Sequence, residues 1–528
     1  MIILGKNIIE NLTVGMYEDC RVIYREYIQN SADQIDKAVQ TGLIKQEEAY
    51  IDIDIDKKTR NIKIYDNATG IQKKYFKKRL SDIANSEKDR DTDKGFRGIG
   101  RLGGIAYCDK LKFSSSYYGE NLKSVMIWDA KKCKEILSDK NCRCTAEELL
   151  DNIISYEEEV CDEESHFFEV ELINVNNENK ELMDIKEVEK YLSSIAPVPY
   201  HNFIYKEKIY EFINNENMSI CEYKISINGK QIFKNYRNKL YEDTKNAGKK
   251  SYDEIYDLEF KKIMNSDNEL IAWMWFGVSG FIKSIPVCNQ MRGIRLRKEN
   301  IQIGNERTLT HFFREPRGNY YFIGEIHVVS KDLIPNARRD YFNENETEKE
   351  LEAGLKSIFD ELHTLYHHAN RIKNAFKKKS EYDKVENEYN KKIKEGGFID
   401  SEEKKLSEKE LEEKLKDAEE AKRILKGVVD KASDKGVINK VFSILEKGYS
   451  HSENQEKIIE IKSEKIEKTE RNEKIEKTKN NKKFMTQRLS NLNRKEQKLV
   501  SKIYSVIKAV LPRDTANTLI EKIQEELS

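Results

Sequence analysis

The chain has 528 residues, with Lys+Arg and Asp+Glu both at 94, so its formal net charge is zero; 36% of residues are charged and 38% hydrophobic. That length suits about three or four domains, and the charge balance argues against a uniformly basic nucleic-acid binder while leaving room for a local basic face. With only 24 glycines and 6 prolines, a low-complexity Pro/Gly architecture is excluded.

No run approaches the roughly 20 apolar residues that span a bilayer, and the opening MIILGKNIIENL is too short and too soon polar for a secretory signal. Eight cysteines in a chain of this length do not make a disulfide framework, so a reducing cytoplasm is expected. Cys133, Cys142 and Cys144, with Cys161 nearby, fit either zinc ligation or ordinary free thiols, and their spacing matches no paired ligand knuckle.

In chain order, residues 18–38 lack Pro and Gly and space their apolar residues as a helix does. Ile51 to Asp56 alternates apolar and acidic residues, the mark of a half-buried strand, and 61–65 follows as its hairpin partner. Five glycines then fall within ten residues, Gly95, Gly98, Gly100, Gly103 and Gly104, which marks a loop of unusual backbone geometry. Further strands are expected at 110–115, 124–128 and 167–175, completing an α/β domain over 1–204. A second α/β segment, 205–345, holds strand candidates at 223–227, 270–278, 293–297 and 321–329. Within it Trp273 and Trp275 read as core or a client surface rather than base-stacking platforms, whereas Arg292, Arg295 and Arg297 face nucleic acid, phosphate or, most commonly, solvent. Beyond it the texture predicts a helical hairpin or coiled-coil arm (346–450), a Glu/Lys-rich linker (451–484) and a small C-terminal helical module (485–528).

Three short blocks carry the chemistry. Residues 25–33 (REYIQNSAD) place Glu26 and Asn30 four apart on one helical face, where a carboxylate and a carboxamide can orient water and hold a metal-bound phosphate. Residues 65–71 (YDNATGI) set Asp66 at a strand end, able to accept from an exocyclic amine, with Gly70 freeing the turn. Residues 94–104 (KGFRGIGRLGG) offer backbone amides as an anion nest or helix N-terminus for phosphates. Each block alone is commonly a solvated face, a turn or a tight connection; their order and spacing together are specific.

In that order the blocks resemble the GHKL ATPases, the superfamily of gyrase B, ninety-kilodalton heat-shock chaperones, histidine kinases and mismatch-repair ATPases. The resemblance covers roughly residues 1–200 and implies a Bergerat-fold α/β sandwich that binds ATP and Mg²⁺. It implies that Glu26 is the general base and Asn30 the magnesium ligand. It likewise implies that Asp66 binds the adenine amine and that Gly70 lets the base approach. Asp33, Ile71, Lys94, Gly95, Phe96, Arg97, Gly98, Ile99 and Gly100 would complete the ATP site, with 74–94 as its lid. Two departures stand out: Ala68 occupies the usual first glycine of the second block, and the family's late-strand threonine has no match near Phe167 and Phe168. Residues 332–340 are similar to the heat-shock chaperone loop whose arginine reaches the γ-phosphate, which makes Arg339, or its neighbour Arg338, the phosphate sensor.

These resemblances imply a homodimeric, ATP-gated clamp with a protein client. The competing reading is a DNA-associated clamp of the mismatch-repair or microrchidia kind, in genome maintenance or bacterial defence, so DNA stays open as a partner. A histidine kinase is disfavoured, because no histidine precedes Glu26.

Overall fold

A computed structural model describes residues 5–13, 19–82, 100–244, 248–336, 338–431, 435–449 and 513–527, together with 500, 503, 504 and 507. Residues up to 446 and from 447 onward form two separate compact units.

The first unit begins with α1 (Asn7–Thr13) and the helix α2 (Val22–Gln40). Next come the hairpin β1 (Tyr50–Asp56) and β2 (Asn61–Asp66), and helix α3 (Lys73–Ser81). In β1 the alternation expected from sequence is realised: Ile51, Ile53 and Ile55 are buried while the aspartates between them point away. The hairpin pairs Ile53 with Ile64. A 3-10 turn, Gly100–Tyr107, leads into β3 (Lys110–Ser116) and β4 (Leu122–Asp129). There follow α4 (Ala130–Ser138), α5 (Ala146–Ile153), β5 (Ile154–Val160), β6 (Phe167–Ile173), α6 (Lys180–Met183), α7 (Ile185–Ile195) and α8 (Phe203–Asn215).

The strands of this region form one eight-stranded sheet in the order β5-β4-β3-β6-β2-β1-β7-β8, with β7 at Lys224–Ile227 and β8 at Lys230–Gln231. β7, assigned from sequence to the second α/β segment, pairs in parallel with β1 and so belongs to the first sheet. Ile23, Tyr24, Ile28 and Ile35 of α2 share one apolar core with Ile51, Ile53, Ile62 and Ile64 of the sheet, which fixes the opposite, polar face of α2 in place.

Beyond this sheet, β9 (Lys239–Thr244) and β10 (Gly248–Glu254) form a separate hairpin. A five-stranded sheet comprises β11 (Asp257–Met264), β12 (Leu270–Val278), β13 (Gly293–Lys298), β14 (Ile301–Ile303) and β15 (Ile323–Val328), in the order β11-β12-β15-β13-β14. Of the two expectations for Trp273 and Trp275, core and client surface, the core holds: both are buried. The arginines of β13 are not solvated. Arg297 is fully enclosed and Arg295 nearly so: Glu325 and the Ser194 carbonyl receive Arg297, and the Gln290 and Arg292 carbonyls receive Arg295.

Helix α9 (Glu346–Glu395) lays Leu351, Leu355, Phe359 and Leu362 in the core and then runs out as an arm. It ends at Gly396 in the left-handed conformation. α10 (Ser401–Lys431) returns antiparallel beside it, with Lys392–Glu403 and Lys378–Glu420 pairs, both 2.8 Å, along the seam. A helical run at 435–446 then docks on β11, where Lys440 reaches Asp257 and Glu259 at 2.7 and 2.5 Å.

The second unit contains the helix Arg513–Leu527, whose Ile520 packs with Val500 and Tyr504. Among the described residues no helix is long and apolar enough to cross a membrane.

Candidate nucleotide site

α2 supplies one wall. With its apolar stripe committed to the sheet, Glu26 and Asn30 lie half-buried on another face and Asp33 is buried below them. The Arg25 guanidinium holds the Glu26 carboxylate, with Nη2 3.1 Å from Oε1. Sequence spacing left Arg25 without a role, since adjacent helical residues do not face each other; a long, forked side chain overcomes that.

The end of β2 supplies the floor. Asp66 is fully buried, its Oδ1 accepts from the Ala68 amide at 3.2 Å, and its Oδ2 lacks a hydrogen-bond partner. Burial pushes this carboxyl up to about 7, against the pull of the Ser31 hydroxyl and the Ala68 and Phe168 amides. A buried oxygen left unsatisfied is costly, and a ligand's N–H is the kind of group that relieves it.

The turn after Asp66 is shaped by Gly70, which sits at φ +65°, where a Cβ would lie 1.9 Å from the Ser116 carbonyl oxygen. Gly70 is expected from sequence to free this turn, and from the resemblance to admit a ligand; in the fold it also admits the neighbouring strand's backbone. The Ile71 amide donates to Ser115 Oγ at 2.8 Å, and that hydroxyl donates in turn to the Phe167 carbonyl at 2.8 Å. Ala68, in place of the usual glycine, is buried, and its carbonyl meets His166 Nδ1 at 2.8 Å.

These contacts tie the first two blocks together. The Ser31 hydroxyl of α2 helps hold the Asp66 carboxyl down against burial, and Thr69 Oγ1 donates to Gln34 Oε1 at 3.1 Å. No threonine stands opposite Asp66; its partner on β6 is Phe168. The hydroxyls around this corner come instead from Ser31 and Ser115, neither singled out from sequence, because serines on a helix and a strand carry no motif of their own.

Of the third block, Lys94, Gly95, Phe96, Arg97, Gly98 and Ile99 lie outside the described residues, as does most of the lid expected at 74–94 beyond α3. The block's end is described: Gly100 opens the 3-10 turn, and the Gly104 amide donates to the Tyr27 hydroxyl of α2 at 3.2 Å. A Cβ on Gly104 would lie 2.5 Å from that hydroxyl, so this glycine allows the close approach to α2. Arg339 lies on the loop between β15 and α9, at φ +56°, with its carbonyl accepting the Gly304 amide at 2.7 Å. Arg338 beside it is exposed.

Cys133 is buried in α4, and among the described residues no group of three His, Cys, Asp or Glu side chains is arranged to hold a metal ion.

A mixed sheet, a helix carrying Glu26, Asn30 and Asp33, and a buried aspartate at the adjoining strand end make up the candidate nucleotide site. Residues 20–159 match the histidine kinase-, DNA gyrase B-, and HSP90-like ATPase family. Over 179 residues the chain is 26% identical to the chaperone protein HtpG of Wigglesworthia glossinidia brevipalpis. That likeness takes in 30% of this chain and 28% of the relative's length.

Proposed function

We propose that the chain binds and hydrolyses ATP with Mg²⁺ and works as a homodimeric clamp that remodels a protein partner in the manner of a chaperone. The observation that carries the nucleotide reading is Asp66: a buried carboxylate whose Oδ2 lacks a partner, set beside the polar face of α2. An adenine exocyclic amine supplies the missing donor. Asn30, half-buried on the same face as Glu26, offers the hard oxygen that Mg²⁺ prefers. When bound, the ion offsets phosphate charge. Glu26 then orients a water and takes its proton, Arg25 keeps that carboxylate in place, and Arg339 serves as the γ-phosphate sensor. The protein-remodelling part rests on the similarity to HtpG.

The test is ATP turnover by the full chain and by Glu26→Ala, with molecular mass followed by light scattering in both. The clamp reading expects turnover that the substitution removes and a mass that doubles on ATP binding. A wild type that neither hydrolyses ATP nor changes mass sinks it, and steeply salt-dependent duplex binding would move the partner to DNA.

A further inference from the structure

The helix that carries Glu26 and Asn30 is gripped near both ends, and the two grips converge on one hairpin of the second sheet. At the front of α2, the Arg21 guanidinium lies 3.7 Å from Glu187 and 4.9 Å from the Tyr191 ring centroid, both on α7. Near its end, Asp36 accepts from the Tyr223 hydroxyl at 2.6 Å. α7 is held in turn by Arg297, whose Nη2 donates to the Ser194 carbonyl at 2.6 Å. The segment bearing Tyr223 is held by Asn300, whose Nδ2 donates to the Cys221 carbonyl at 2.7 Å. Arg297 and Asn300 are three residues apart, on β13 and in the turn to β14. Between the two grips, at Arg21 and Asp36, the helix spans about 22 Å.

The hairpin is built to be stiff. Its turn residues, Glu299 and Asn300, both have positive φ (+51° and +58°), and Lys298 pairs with Ile301 across them, so this is a two-residue type I′ turn without glycine. The Arg297 Nη1 donates to the Asn300 carbonyl at 3.0 Å, and the Cys221 thiol meets Glu299 at 3.2 Å. At its root, the Arg297 Nε is 2.5 Å from Glu325 Oε1 in a fully enclosed cluster. That cluster adds Lys234 at 3.1 Å, the Tyr236 hydroxyl at 2.8 Å, the Tyr200 hydroxyl and His327 Nε2 at 3.0 Å. A satisfied buried network of this kind rigidifies what it joins.

We propose that the β13–β14 hairpin couples the second sheet to the catalytic face of α2, with Asn300 and Arg297 as positioning residues for Glu26 and Asn30. This rests on the ATPase reading above. A displacement of the second sheet is carried through the Ser194 and Cys221 carbonyls to the two ends of α2, and so to the carboxylate that faces the attacking water.

The test uses the full chain with Asn300→Gly, which keeps the positive φ and removes the amide, and Tyr223→Phe, which removes one hydroxyl. Both cut the same strap, at opposite ends. Each is expected to lower kcat about tenfold with KM for ATP and Tm nearly unchanged, and the double variant to be no slower than either single one. Unchanged kcat in an active background overturns the coupling, as do losses that multiply. Amide exchange across residues 22–40 supplies a readout independent of turnover. It should quicken in Asn300→Gly, and an unaltered profile rejects the coupling. Were the wild type inactive, the ATPase reading would fail while exchange still decided the mechanical link.

Discussion

Arg25 and Glu26, neighbours in the chain, form an ion pair in which Nη2 and Nε lie 3.1 and 3.3 Å from the same oxygen, Oε1, with the side chains 8% and 14% exposed. Both contacts fall on one oxygen, so the guanidinium anchors the carboxylate while Oε2 stays outside this pair. An anchored carboxylate is what a general base requires, since proton abstraction depends first on geometry.

Replacing Glu26 by Gln preserves an oxygen for Arg25 and removes the proposed base. ATP turnover should fall by at least about 10²-fold with nucleotide affinity retained, as read by coupled-enzyme kinetics alongside calorimetry. Retained turnover would place the base elsewhere.

Asp66 sets a pH signature. Its folded pKa of about 7 lies above the roughly 3.9 of an unfolded aspartate. The native state therefore keeps a proton that the unfolded state has lost, and ligand-free stability falls as pH rises from 4 to 7. Asp66→Asn removes this slope. It should match wild type near pH 4 and exceed it by up to about 4 kcal/mol at pH 8 in urea unfolding, while ATP binding is lost. Equal stability at both pH values would refute the assignment.

Gly70→Ala combines a disfavoured φ with a Cβ 1.9 Å from the Ser116 carbonyl oxygen. A loss on the order of 3 kcal/mol is expected in chemical denaturation, with weaker nucleotide binding because Asp66 and Ile71 move with the turn. Near-neutral behaviour would mean that the turn relaxes at little cost.

Glu325→Gln leaves Arg297 and Lys234 enclosed without their carboxylate. Burial alone would raise the Glu325 carboxyl, yet Arg297, Lys234 and His327 hold it well below the usual range. Its loss should cost about 3–5 kcal/mol, read as a lowered guanidinium midpoint. A midpoint within error of wild type would show the cluster to be dispensable.

Where one face of an element is apolar, its identity is legible in the sequence. The Ile/Asp alternation of β1 and the stripe of α2 led directly to the wall and floor of the site. β5 was missed because ISYEEEV is an edge strand, largely exposed and paired only through β4, so its glutamates mask the period. Arg297 was misjudged for a different reason. Its partner Glu325 is 28 residues away, and only the parallel pairing of β13 with β15 brings the two together. Asp66 was chosen for its position in a motif, but its orphaned oxygen depends on burial from three elements, which no local pattern encodes.

The parallel pairing of β7 with β1 also bears on synthesis. A nascent chain emerging from the ribosome exposes Tyr50 to Ile53 some 170 residues before the strand that covers their free edge is made. Until residue 227 has cleared the exit tunnel, that edge is an open template for other chains. Its alternate aspartates, Asp52, Asp54 and Asp56, put negative charge along this waiting strand and so guard it against pairing with copies of itself.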